Sequence, residues 1–278
     1  MTAQSATGNG WRRRSVIAAP IVVALALATR TRMARAASSV MIWPVDPVIE
    51  DDQRATALWL ENRGTETVSL QVRVFGWGQA GGRENFVEQE QLIASPPLAV
   101  IPAGQRQLIR LMNTVPVPER TELAYRVLID ELPDAEGTAE SAQNGGNSAM
   151  GVKLQLRYSI PLFVNGKGMW TRPTPGKSRD PAGMAVPALS WRTVREGGEL
   201  FLVIRNSGNA HARLTAVQWV PSLPGGAGGA PVVINPGLLG YVLAGAEMRW
   251  PLTAQPPMGH APEAKVNGGE AAVRLRPA

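Results

Sequence analysis

The longest run of strict hydrophobic–polar alternation lies at residues 150–163, MGVKLQLRYSIPLF. Strand side chains have a period of two, so Val152, Leu154, Leu156, Tyr158, Ile160 and Leu162 share one face. Lys153, Gln155, Arg157 and Ser159 share the other. Strands usually run to about 5–6 residues, so this 14-residue stretch is long. An apolar face of that length needs a partner surface. It is either a core strand or a strand offered in part to another protein by strand addition.

The same period recurs upstream. Residues 54–62, 67–77, 106–112 and 123–133 each alternate and end in turn residues, predicting four strands. Residues 39–50 are extended, and Pro44 and Pro47 make them an edge strand, because proline cannot donate to a ladder. GQAGGRE at 78–84 predicts a turn. Short strands at roughly ten-residue spacing, without helical periodicity after the N-terminus, predict an antiparallel sandwich. Residues 134–149 hold no apolar side chain larger than alanine and read as a mobile loop leading into the long strand.

Residues 164–187 are rich in Gly, Pro and basic residues and mark a boundary. Beyond it, 188–191, 199–208, 210–220, 232–235, 246–252 and 270–277 read again as short strands between Gly/Pro turns. Both halves carry a strand–Asn-x-Gly–strand element, at Asn62-Arg63-Gly64 and Asn206-Ser207-Gly208, which suggests two related sandwiches.

The first 36 residues differ in kind. Trp11-Arg12-Arg13-Arg14 precedes an apolar run from Ser15 to Ala28, too short to span a bilayer comfortably and suited to a signal peptide. Small residues at Ala34 and Ala36 place cleavage before Ala37. Export without later membrane insertion is expected. This segment also accounts for the net charge of +6: it holds six arginines and no acid, which leaves 22 basic and 22 acidic residues. No basic excess argues for nucleic acid. Absence of cysteine excludes a disulfide framework, thiolate metal sites and cysteine nucleophiles. The two histidines, His211 and His260, lie far apart in polar contexts, and no catalytic or phosphate-binding motif occurs. No enzyme, metal or cofactor is expected.

Several pieces then fall in a telling order: PVDPVIE, LENRG, SPPLAVIPAGQRQLIRL, ELAYRVLIDELP and SIPLF. In sequence and spacing they resemble the periplasmic chaperones of chaperone/usher pilus assembly, closely over Val40–Phe163 and loosely beyond. The resemblance implies an all-β chain of two immunoglobulin-like β-sandwich domains in an L-shaped arrangement, over 37–163 and 188–278, joined by a linker at 164–187. It implies a periplasmic protein that holds pilin subunits by donor-strand complementation and passes them to an outer-membrane usher, monomeric when free or with one subunit. The donors would be Val152, Leu154 and Leu156, with Tyr158, Ile160 and Leu162 continuing into the protein's own core.

Two departures stand out. The family's cationic anchors for the subunit's terminal carboxylate fall at Asp46 and Pro161, which leaves Arg110 and Arg157 as substitutes. An interdomain ion network would use Glu122, but its arginine partner falls at Asn165, so Glu122 would only cap a turn. The competing reading is an exported structural or carbohydrate-binding sandwich. It would want clustered exposed aromatics, whereas the seven tryptophans after the signal are spread along strand patterns and read as core.

Overall fold

The alternating segments of residues 40–165 form two facing sheets in the computed structural model, which describes residues 39–133, 155–171, 176, 178–222 and 229–278. The expected signal peptide, the expected loop at 134–149, Val152 and Leu154 lie outside the described residues. The first sheet orders β1 (Val40–Trp43), β3 (Ala55–Asn62), β8 (Arg106–Asn113) and β6 (Leu92–Ser95) side by side. The second orders β2 (Val48–Ile49), β10 (Arg157–Asn165), β9 (Glu122–Leu132), β4 (Val68–Ala80) and β5 (Arg83–Glu88), with β7 (Leu98–Ile101) on the first half of β4. Leu58, Leu60, Leu70, Ile109, Leu111, Val127, Ile129 and Leu162 fill the space between, fully buried.

The single edge strand expected over 39–50 is two strands in different sheets. β1 pairs antiparallel with β3, and β2 pairs parallel with β10. The prolines at 44 and 47 bracket the crossing, where no ladder hydrogen bond is lost. The turn expected at 78–84 is tighter: β4 runs on to Ala80 and turns at Gly81-Gly82, and β5 returns along it. Within the described residues the long strand runs from Arg157 to Asn165, two residues past its expected end, because Val164 and Asn165 still pair with Leu123 and Glu122.

The second half is another pair of sheets. One orders β15 (Glu247–Leu252), β12 (Glu199–Asn206), β11 (Leu189–Glu196) and β18 (Arg276–Pro277). The other orders β14 (Val232–Val242), β13 (Ala212–Pro221), β16 (His260–Val266) and β17 (Ala272–Arg274). β16 has no counterpart in the sequence reading, and β14 extends well past Asn235. Their core gathers Leu202, Ile204, Leu214, Val217, Trp219 and Val242.

The repeated Asn-x-Gly element has the same structure twice. Asn62 and Asn206 are both fully buried. Each carboxamide accepts from the glycine N–H two residues on, at 2.9 and 3.0 Å. Each donates to the carbonyl four residues on, at 2.7 Å in both cases. Each donates again across its sandwich, to Ile101 at 2.8 Å and to Val242 at 3.1 Å.

Between the halves, the chain is tied to the residues after β2. Buried Glu50 accepts from Asn165 Nδ2 at 2.9 Å and from Thr171 Oγ1 at 2.7 Å. Arg179 reaches Asp51 at 2.9 Å and Asp52 at 3.2 Å. A Cβ on Gly166 would lie 1.9 Å from the Pro118 carbonyl oxygen, so only glycine lets the chain leave β10 this close to that loop.

Candidate functional site

β10 has β9 along one side for its whole length, whereas β2 covers the other side only at Phe163 and Val164. Over 157–162 the residues that face the open edge are Arg157, Ser159 and Pro161, which turn three C=O groups but only two N–H groups outward, since proline has no N–H. Ile160 and Leu162 point into the core and Tyr158 packs on it. The Tyr158 hydroxyl reaches the Val40 backbone, so the open edge of β10 adjoins that of β1. Burial, first of all, raises the Tyr158 phenol above its ordinary value. Just before the strand, Leu156 is 39% exposed, outside the core.

The outward face of this sheet carries a charged cluster. Asp130 sits between two arginines: Arg73 Nη2 donates at 2.7 Å, and Arg157 Nε donates to the other carboxylate oxygen. Burial alone would raise the Asp130 carboxyl, but the hydrogen bonds from Arg157 and then Arg73 outweigh it and hold it below the usual aspartate range. Arg157 is thus engaged with Asp130. Arg110 lies elsewhere, exposed on β8 in the other sheet, opposite Ala57.

The end of β10 meets the second half of the chain. Phe163 is buried with Trp77, Tyr241 and Leu243. Its ring stacks on His211, centroids 3.4 Å apart. Glu122 accepts from the His211 backbone N–H at 2.7 Å and contacts its Nδ1 at 2.8 Å. Glu122 therefore joins the two halves instead of capping a turn, with His211 in the place where an arginine from the linker was expected. His211 itself is not in a separate polar setting. Gln79 adds a two-way clasp, donating to the Tyr241 carbonyl at 3.0 Å and accepting from Leu243 N–H at 2.8 Å. Arg126 stacks 3.7 Å over the Trp77 ring, and desolvation lowers its guanidinium from the ordinary arginine value.

A cleft of about 840 Å³ opens beside these groups, lined among others by Asp46, Phe163, His211, Arg213, Tyr241 and Arg276. Asp46 does reach the cleft, as its alignment required, while Pro161 is buried within β10 opposite Arg126. The sequence reading missed Arg213. It lies two residues after His211 at the start of β13, and only the packing of one half on the other brings it to the end of β10. Among the described residues, no cluster of three or more His, Asp or Glu could hold a metal ion.

The arrangement is that of a two-sandwich protein in which, among the described residues, the edge of β10 over 157–162 is unpaired and leads toward an interdomain cleft. Residues 39–169 match the family model described as pili and flagellar-assembly chaperone, PapD N-terminal domain. The chain is 30% identical, with a TM-score of 0.66, to a chain in the crystal structure of the CsuC–CsuE chaperone–tip adhesion subunit pre-assembly complex of Acinetobacter baumannii archaic Csu pili. That match covers 86% of this chain and 99% of the other. A chain of the Salmonella enterica SafA pilin–SafB chaperone complex matches at 19% identity and TM-score 0.54, over 86% of this chain and 96% of its own. The E. coli chaperone DraB matches at 16% and 0.54, over 87% and 98%. No curated protein matches in sequence. The chain belongs to the pilus-assembly chaperone family.

Proposed function

We propose that this protein is an exported, periplasmic chaperone that captures pilus subunits by lending them the strand that begins before β10, and then delivers them to an outer-membrane usher. The open edge of β10 over 157–162 is the observation that carries this reading. A pilin lacking its last strand presents two unpaired edges and an apolar groove. An extended segment with an open edge supplies ladder hydrogen bonds to the first and alternating side chains to the second. Val152, Leu154 and Leu156 fill the groove, and the exposure of Leu156 fits that role. Two of the similar structures, by their descriptions, hold a subunit beside the chaperone.

The domain map follows the same reading: a signal over 1–36, a subunit-binding domain over 37–163, a linker over 164–187 and a second sandwich over 188–278. For a subunit's terminal carboxylate we favour Arg213, which pairs across from Tyr241 in the cleft that Arg274 and Arg276 also line. Arg157 is bound to Asp130, and Arg110 faces out from the other sheet. Co-expression with a pilus subunit that lacks its last strand, followed by purification from the periplasm, tests the reading. A one-to-one complex that protects the pilin from degradation is expected. A chaperone that elutes alone beside intact, soluble pilin contradicts it.

A further inference from the structure

The two sheets of the first sandwich differ on their outer surfaces. The outer face of the β10–β9–β4 sheet carries Gln71, Arg73, Arg126, Asp130, Arg157 and Ser159, interrupted by Phe75 and Leu128. The β1–β3–β8–β6 sheet is more continuously apolar. With Leu58, Leu60, Ile109, Leu111 and Leu92 turned inward, the alternation turns Met41, Trp43, Trp59, Leu108, Met112 and Ile93 outward. Register sets Trp43, Trp59 and Leu108 in one row across three strands. The two indoles stack at 6.2 Å with 13° between planes.

Two cations frame this platform. The Arg106 guanidinium lies 5.2 Å over the Trp59 ring, and Arg110 stands four residues along the same strand, on the same face. Both are exposed, and neither makes an ion pair among the described residues. The carboxylate on this face, Glu61, is bound by Arg63 at 3.0 Å. The surface is therefore apolar, aromatic and net positive. Aromatic residues, Met and Arg are enriched at protein interfaces, and Trp and Arg are among the types that dominate their energetics.

We propose that this outer face is a second docking surface, built for a protein segment that lays apolar side chains on the Trp43–Trp59 platform and aims carboxylates at Arg106 and Arg110. Four residues along a strand place those carboxylates about 13 Å apart, four positions along an extended segment. The surface belongs to the sheet that does not contain β10. Its occupant binds while the lending strand is in use, and the inference stands independently of donor-strand capture.

The test uses the mature protein and the indole N–H resonances of Trp43 and Trp59, assigned with W43F and W59F. The probe is a synthetic peptide in which every second residue is serine and the residues between them run Glu, Leu, Glu, Leu, so that leucines and carboxylates share one face and successive glutamates lie four positions apart; it is compared with the counterpart carrying lysine in place of glutamate and with a peptidoglycan oligosaccharide. The glutamate peptide is expected to shift both indole signals and to bind more weakly as salt rises. In the R106E/R110E variant its affinity falls about tenfold or more, while melting temperature and pilin capture stay unchanged. Equal binding of the lysine peptide overturns the proposal. So does a glutamate peptide that binds R106E/R110E undiminished, or none of the peptides shifting these signals. Shifts caused by the oligosaccharide alone would make the platform a glycan site and overturn it as well.

Discussion

Phe163 and His211 stack face to face with 1° between their ring planes, so the end of β10 is packed directly on the second sandwich. His211 is held in turn by Glu122, whose side chain is 1% exposed and opposes Asn165 across the β9–β10 ladder. The position of the second sandwich is thus read by the same two strands that present the open edge.

Replacing His211 by alanine removes the stack and the Nδ1 contact and leaves the buried Glu122 carboxylate with only the backbone N–H. A loss of about 1–3 kcal/mol is expected, the usual consequence of orphaning a buried polar group. Thermal unfolding checks it. Limited proteolysis adds a second readout, with cleavage in 166–187 expected to quicken. Unchanged melting and digestion would show the contact to be idle.

From the same position of their sandwiches Asn62 satisfies three backbone groups and Asn206 four, the fourth being the Ala188 N–H. Asn62→Ala and Asn206→Ala should each destabilise by roughly 2–4 kcal/mol, since more than one buried group loses its partner. Urea unfolding followed by tryptophan fluorescence measures both. A loss under about 1 kcal/mol in either would mean that water replaces the carboxamide.

Much of this was legible in the chain. β3, β8 and β9 lie where alternation put them, within a residue or so, because each has one face in the core and one outside. The Asn-x-Gly repeat was visible as two matching turns. Three things were not. β5 is exposed throughout, so no buried face imposed a period on it. The tryptophans read as core from composition, yet only Trp77 and Trp219 are buried in this way, while Trp43 and Trp59 share an outer face. A two-residue period says which side chains lie together, not which side is covered. His211 and Arg213 gained their setting from the packing of the two sandwiches, which no local pattern encodes.

Asp130 gives a pH dependence with a definite sign. Its folded carboxyl titrates below the unfolded value of about 3.9, so its contribution is complete above that value and disappears as pH falls through the folded one. Asp130→Asn should be less stable than the parent near neutrality, and the gap should narrow in acid. Arg73 is 41% exposed and Arg157 63%, so solvent screening keeps the effect small, on the order of 1 kcal/mol or less. A gap that widens in acid would contradict the sign.

Arg179 is largely covered and bridges Asp51 and Asp52 from the linker, with Trp170 stacked nearby. Arg179→Ala leaves two neighbouring carboxylates without their shared cation. Faster tryptic or chymotryptic cleavage in 166–187 is expected, with little change in the far-ultraviolet circular dichroism of either sandwich. Cleavage at the parental rate would mean that Glu50 and Thr171 alone fix the linker.

The most direct measurement of the central claim is pilin capture by the Leu154→Ser/Leu156→Ser variant, read beside its thermal melt. Each leucine buried in a subunit groove contributes about 1.5–3 kcal/mol, so losing two weakens capture by roughly two to four decades. The account predicts a variant that melts like the parent and no longer co-purifies with pilin, while Gln155→Ser captures normally. A variant that unfolds would place these side chains in the protein's own core, and a folded variant that still captures pilin would contradict strand lending itself.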